Sequence, residues 1–383
     1  MTGSQTGPQR MSGAGEAGEA AGAASITPAR SRRRIAVQLI AFIACMGLLG
    51  WAVSMAFSGD NRAALEHLQS APRSLILAVV GLSALSLLIN GSTLWLTLTP
   101  VRRLKLTDTL AANSIAVFFN YLPFKLSLVS RFVIHNRRDG MPLLQIGAWL
   151  AAFAVVVLAG LAPPVAASLV RPKVDGVWIA MVVGGIAVMF AAVTLAARLF
   201  AGDRGLQRVQ SIGGIIPVSL LHRLLKSRAF AQLHTGFAML SSPGVLGVLL
   251  VLRVADLLVQ AARFELAARA VGGELGWDQA LLAASAYFMI GILSPAGVLG
   301  ARETGTAGVA ALLTIPALTS DAFVLAVLVV TGAELIVNLV AAAASIAWLR
   351  PDRLLRGGTP VAAGPSAANT PPADPAARPD QSP

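Results

Sequence analysis

Ser294-Pro295-Ala296-Gly297-Val298-Leu299-Gly300-Ala301-Arg302-Glu303 sits inside an otherwise apolar run over residues 280–315. A proline, two glycines and an adjacent opposite-charge pair are each disfavoured in lipid. Broken backbone at membrane depth is tolerated only where it is buried in protein or lines a wet cavity, and ionisable groups there face the same places. The stretch therefore predicts a protein-lined break in a membrane protein, and the rest of the chain agrees. Over 383 residues, 56% are hydrophobic, 13% are charged and the mean hydropathy is +0.72. A soluble chain carries about a quarter of charged residues.

Working outward, the apolar runs predict six spans, at residues 35–57, 74–99, 142–170, 174–200, 245–271 and 323–349. Each is long enough to cross a bilayer. Two further apolar regions are too short and too broken to cross. Residues 110–122 end at Pro123 and Lys125 and are followed by a short segment to His135; residues 281–293 and 304–315 flank the opening stretch. Both read as re-entrant hairpins. Basic residues flank the first (Arg102, Arg103 and Lys105; Arg137 and Arg138), whereas acidic or neutral residues flank the second, so the two are expected to enter from opposite sides.

The net charge of +12 falls mostly at the ends of apolar runs, which fits the positive-inside rule better than nucleic-acid binding. The predicted cytoplasmic side receives Arg30, Arg32 to Arg34, the groups before and after the first hairpin, the loop residues Arg204, Arg208, Arg223, Lys226 and Arg228, and Arg350, Arg353 and Arg356. The exterior loops receive Arg62, Arg73, Arg171 and Lys173. Both termini are thus expected in the cytoplasm, as disordered tails over 1–34 and 351–383 that are rich in Gly, Ala and Pro. The connection 201–240 carries an amphipathic helix, lying on the cytoplasmic leaflet or packed on the loop. Cys45 is the single cysteine and the four histidines have no metal-ligand spacing, so neither a disulfide nor a metal or other cofactor is expected.

An offset of 172 residues lays Pro123 on Pro295 and carries the second span onto the fifth and most of the third onto the sixth. The order of span, short broken segment and span recurs, over about 74–170 and 245–349. This is the pattern of an inverted repeat with a substrate path between its halves. The expected fold is an all-α polytopic membrane protein of about six spanning helices plus two oppositely inserted re-entrant hairpins.

Ionisable residues inside this fold are the candidate site. Arg253, Asp256, Gln260 and Arg263 advance by three, four and three positions, which puts them within about 80° of one helix face. Arg253 and Asp256 can pair, either to fix helix register or as transport groups, and Arg263 lies near the exterior end, where it can snorkel. Glu334 needs a partner from another helix, Arg253 or Arg302, or is protonated. Asn90, Asn113 and Asn120 read as interhelical hydrogen-bonding groups. With Pro295, Gly297 and Gly300 forming the tip, a half-helix starting near Ala301 would aim unpaired N–H groups and its positive dipole end into the cavity. Arg302 there makes an anion site for which phosphate is the natural guest. Glu303 caps the half-helix, holds Arg302 in place, or carries a proton or substrate role; Lys125 and Arg131 offer cations from the first hairpin.

The stretch Leu293 to Glu303 resembles the Pro-x-Gly-Gly-Leu-Gly-x-Arg-Glu signature of the lysylphosphatidylglycerol synthase membrane region, a flippase-like family of bacterial membrane proteins. Leu122-Pro123-Phe124 with Arg131 is similar to the family's first broken segment, although Ser127-Leu128 stands where the family has a small-acidic pair. The likeness runs over about residues 35–350. It implies handling or flipping of an anionic phospholipid or lipid-linked headgroup in a bacterial-type inner membrane. Only a short tail follows Arg356, so no synthase domain and no enzymatic activity are expected. A secondary transporter of a small soluble anion, or a scaffold whose charges only hold helices in register, are the alternatives.

Overall fold

The computed structural model describes residues 39–40, 43–51, 53–54, 62–122, 126–171, 173–214, 225, 227–293, 299–312 and 321–350. All of its regular structure is helical. Among the described residues, five helices are long and apolar enough to cross a membrane: α2 (Arg73–Leu98), α5 (Leu143–Val170), α6 (Gly176–Phe200), α9 (Pro243–Ala270) and α12 (Asp321–Leu349). At 1.5 Å per residue, their 25 to 29 residues reach about 38 to 44 Å, more than the roughly 30 Å hydrocarbon core. The expected first span, residues 35–57, falls partly outside the described residues; within it, residues 43–51 are helical.

The two broken regions form pairs of short helices. α3 (Leu106–Phe119) is followed by α4 (Leu126–Arg137), and α10 (Trp277–Leu293) by α11 (Ala301–Leu312). Their 12 to 17 residues give about 18 to 26 Å, too little to cross. Three helices lie in stretches read from sequence as connections: α1 (Arg62–Ser70), α7 (Gly202–Gly214) and α8 (Arg228–Met239). Of the amphipathic helix expected over residues 217–240, α8 is described, packing on α5 with Leu233 and Phe237 exposed, whereas residues 217–224 and 226 lie outside the described residues. Ser227 caps it by accepting a hydrogen bond from the Phe230 N–H at 3.1 Å. Asp175 caps α6 in the same way, accepting from Trp178 N at 2.9 Å and Val177 N at 3.1 Å. The hydrogen bond from Arg171, with these amides, holds the Asp175 carboxyl down at about 2.

Helix contacts follow a paired scheme in which α2, α3, α4 and α5 correspond to α9, α10, α11 and α12. α2 packs along α9. The contacts α2 with α3, α3 with α4, α2 with α5 and α4 with α5 recur as α9 with α10, α10 with α11, α9 with α12 and α11 with α12. Across the halves, α12 on α2 and α3 is matched by α5 on α9 and α10. α6 lies outside this set, with exposed apolar residues such as Val183, Val188 and Leu195 along it.

The two larger of the three apolar clusters among the described residues hold most of the helices. One gathers Trp178, Phe264, Tyr287 and Phe323; the other gathers Leu94, Trp149, Leu246 and Leu249. Trp149 is 1% exposed, and its indole N–H donates to the Leu94 carbonyl at 2.9 Å, joining α5 to α2. At about 25 cal/mol per Å², a buried tryptophan is among the larger apolar contributions a helix contact can gain, and its one polar atom is satisfied.

Candidate functional site

A cavity of about 380 Å³ lies between the two corresponding sets of helices, within the size range of small-ligand sites. Ser83, Ser86 and Asn90 of α2, then Asn120, Tyr121 and Arg131 of the first short pair, form one side of its polar wall. Asp256, Gln260 and Arg263 of α9 with Arg302, Glu334 and Asn338 form the other. Leu122 and Leu128 also line it and are 37% and 40% exposed, so the polar wall ends in an apolar rim at the protein surface.

The stripe predicted on α9 is present. Arg253, Asp256, Gln260 and Arg263 are all buried. Arg253 Nη1 lies 3.4 Å from Asp256 Oδ2, and its Nη2 donates to Thr93 Oγ1 at 2.8 Å. Gly160 of α5 faces this arginine; a Cβ there would lie 2.6 Å from Arg253 Cβ, so only glycine lets α5 approach. Ser86 then links the stripe across to α2: its hydroxyl donates to Asp256 Oδ1 at 2.7 Å and accepts from Gln260 Nε2 at 2.9 Å. Arg263 Nη1 donates to Gln260 Oε1 at 2.7 Å. Arg263 does not snorkel. It is 0% exposed, because α9 continues to Ala270 and places it well inside the bundle.

Glu334 of α12 is where the network converges. Arg302 grips it bidentately, Nη1 to Oε1 at 3.1 Å and Nη2 to Oε2 at 3.0 Å. Arg263 Nη2 reaches Oε2 at 3.2 Å. Tyr121 donates to Oε1 at 3.2 Å while accepting from Asn338 Nδ2 at 2.8 Å, and the Tyr287 hydroxyl lies 3.4 Å from Oε2. The Arg302 guanidinium also stacks 3.7 Å above the Tyr287 ring, a cation–π contact that fixes its plane. Of the two partners expected for Glu334, Arg302 is the one found, joined by Arg263.

The turn before α11 explains Arg302's position. Gly300 is buried with φ +81°, a left-handed conformation that suits glycine, and a Cβ there would lie 1.7 Å from the Cys45 carbonyl oxygen of the first helical stretch. Its N–H donates to Glu303 Oε2 at 2.6 Å. This is the reciprocal half of a capping box, in which the third residue of the helix satisfies the N-cap amide. Glu303 Oε1 accepts from Thr331 Oγ1 at 2.9 Å. Glu303 therefore caps the half-helix and ties it to α12; the carboxylate that holds Arg302 is Glu334.

Arg131 differs from the other cations. Its Nη2 donates to Asn113 Oδ1 at 2.9 Å, and among the described residues no carboxylate lies within ion-pair distance. Among the described residues, the cavity thus has one arginine whose charge no carboxylate pairs, Arg131, beside a wall where Arg263 and Arg302 share Glu334. Lys125, Pro295 and Gly297 lie outside the described residues. Among the described residues, no three His, Cys, Asp or Glu side chains come together as metal ligands would.

Reasoning from sequence missed Ser86, Tyr121, Tyr287 and Thr331. A signal for the tyrosines existed: the chain has two, and both fall in the short broken segments.

The lysylphosphatidylglycerol synthase TM region family matches residues 35–342. No curated protein and no solved structure matches the chain. The chain belongs to that family.

Proposed function

We propose that this protein binds the anionic headgroup of a phospholipid or lipid-linked molecule in the central cavity and moves it between leaflets of a bacterial-type inner membrane. The observation that carries the reading is Arg131, a cation in a membrane-embedded cavity with no carboxylate partner among the described residues. An unpaired charge at such a depth is costly, and an anionic ligand offsets that cost. Three further features support it. The cavity's exposed rim at Leu122 and Leu128 is apolar, which suits acyl chains beside a bound headgroup. The paired scheme of helix contacts is the one an inverted repeat generates, and both halves contribute to the cavity wall. The short pairs α3–α4 and α10–α11 are then re-entrant hairpins entered from opposite leaflets, with both chain termini in the cytoplasm. Binding and movement, not synthesis, are assigned to this chain.

The test is leaflet exchange of fluorescent phosphatidylglycerol in proteoliposomes, read as the fraction protected from an impermeant quencher. A hydrogen bond to a charged group contributes about 1.5 to 3 kcal/mol, and about 1.4 kcal/mol is tenfold in rate or affinity. Arg131→Gln should therefore lower exchange at least tenfold with its thermal stability retained. Exchange at the wild-type rate in Arg131→Gln, or no exchange by wild type, would overturn the reading.

A further inference from the structure

One carboxylate, Glu334, answers two buried guanidiniums, so this part of the cavity wall holds a surplus of positive charge. Arg302 Nη1 and Nη2, Arg263 Nη2 and the Tyr121 hydroxyl surround it at 3.0 to 3.2 Å, with the Tyr287 hydroxyl at 3.4 Å. Thr331 donates its own proton to Glu303, so Tyr287 gives its single proton to Thr331 Oγ1 at 2.9 Å, which leaves four donors for the roughly four lone-pair positions of the Glu334 carboxylate. Those donors are also held by other groups. Asn338 orients Tyr121, the Tyr287 ring fixes the Arg302 guanidinium plane, and Gln260 and the Val330 carbonyl hold Arg263.

We infer that this nest of Arg302, Arg263, Tyr121 and Tyr287 is an anion subsite built for a tetrahedral phosphate group, which the chain's own Glu334 fills in the present state. A phosphate presents two charge-bearing oxygens to the Arg302 fork as a carboxylate does, and so can take the place of Glu334 between the two guanidiniums. Glu334 lines the same cavity as Arg131, so a group held first at Arg131 has the nest within the same space. The phosphate displaces the Glu334 side chain, and the returning carboxylate displaces the phosphate. Glu334 is on this account an internal competitor that keeps the subsite closed between cycles and speeds release. The shared chemistry is a phosphate anion, from a lipid headgroup or free in solution; the lipid source rests on the function proposed above.

Binding to the purified full-length protein tests this with two probes: inorganic phosphate, and phosphatidylglycerol in phosphatidylcholine nanodiscs. Glu334→Gln should bind both at least tenfold tighter than wild type. Adding Tyr121→Phe, which changes no charge, should return severalfold of that gain; a gain that survives it reflects net charge alone and overturns the subsite. Should Glu334→Gln not fold, Glu334→Asp keeps the charge and withdraws the carboxylate by one methylene. Tighter binding by that variant supports the inference, and unchanged binding overturns it. A gain for inorganic phosphate without one for phosphatidylglycerol retains the subsite and overturns the lipid reading. Arg131-dependent lipid exchange with unchanged affinity in both Glu334 variants leaves the lipid reading intact and removes the subsite.

Discussion

Asp256→Asn removes the carboxylate beside Arg253 while leaving shape and the Ser86 contact nearly unchanged. Arg253 is 0% exposed, and of its guanidinium nitrogens only Nη2 has a hydrogen-bond partner, Thr93; Nε and Nη1 have none. Its charge is therefore compensated almost wholly by Asp256 at 3.4 Å. Breaking a buried pair by removing one partner costs about 3 to 5 kcal/mol, because the remaining charge is stranded. A single arginine at mid-bilayer costs about 2.5 to 3.5 kcal/mol on the insertion scale, a similar figure reached independently. Replacing both partners is a different perturbation. Arg253→Met with Asp256→Asn leaves no charge and keeps an unbranched side chain against Gly160 and Phe153, so it should lie within about 1 kcal/mol of wild type. The assay is reversible unfolding in mixed micelles, with the four proteins of the cycle compared. A loss below about 1 kcal/mol in Asp256→Asn, or a double variant as unstable as the single, would refute the argument. Lipid exchange by the double variant then separates the two roles the sequence left open: retained exchange makes the pair a register lock, and lost exchange makes it part of the transport path.

Gly300→Ala should fail to accumulate folded protein or should unfold at a markedly lower temperature, since left-handed backbone costs a non-glycine residue about 1 to 2 kcal/mol and its Cβ would overlap the Cys45 carbonyl. Glu303→Gln retains one side-chain acceptor for either Gly300 N–H or Thr331, so it should lose about 1 to 2 kcal/mol of stability in micelle unfolding while keeping lipid exchange close to wild type. Burial lowers the pKa of His234, on α8 outside the spans, below its ordinary value. The folded state thus keeps the ring neutral, the unfolded state takes up a proton first, and stability falls as pH drops below about 6.5 towards the folded value. Amide exchange in α8 should accelerate between pH 7.5 and 5.5 beyond its intrinsic pH trend, and His234→Phe should remove that excess.

Hydropathy located the five described spans because a long apolar run has one stable use in a bilayer. The stripe on α9 was legible for a similar reason: four polar residues at helical spacing must share a face. What the chain alone could not supply was the rotation and depth of each helix against its neighbours, and those decide who meets Glu334. Arg263 looked terminal because the run ends in polar residues, yet the helix carries on for seven positions, about 10 Å, beyond it. α1 and α7 were hidden by composition. Arg62–Ser70 is polar overall, but Ala64 is buried and Leu65 and Leu68 pack against the core, a helical stripe short enough to pass for a loop. The tyrosines were overlooked because hydrophobic periodicity treats them as apolar filler, whereas the Tyr121 hydroxyl donates to Glu334 and the Tyr287 hydroxyl hydrogen-bonds Thr331, both on another helix.

Those tyrosines give the protein a built-in spectroscopic reporter. The chain has two, Tyr121 and Tyr287, and both hydroxyls lie within 3.4 Å of the same Glu334 carboxylate. Biosynthetic incorporation of fluorotyrosine would yield a fluorine spectrum of two resonances, each from a different helical half, with no background from elsewhere in the chain. Occupancy of that carboxylate's surroundings could then be followed in a native bilayer without introducing a cysteine, a bulky dye or any substitution.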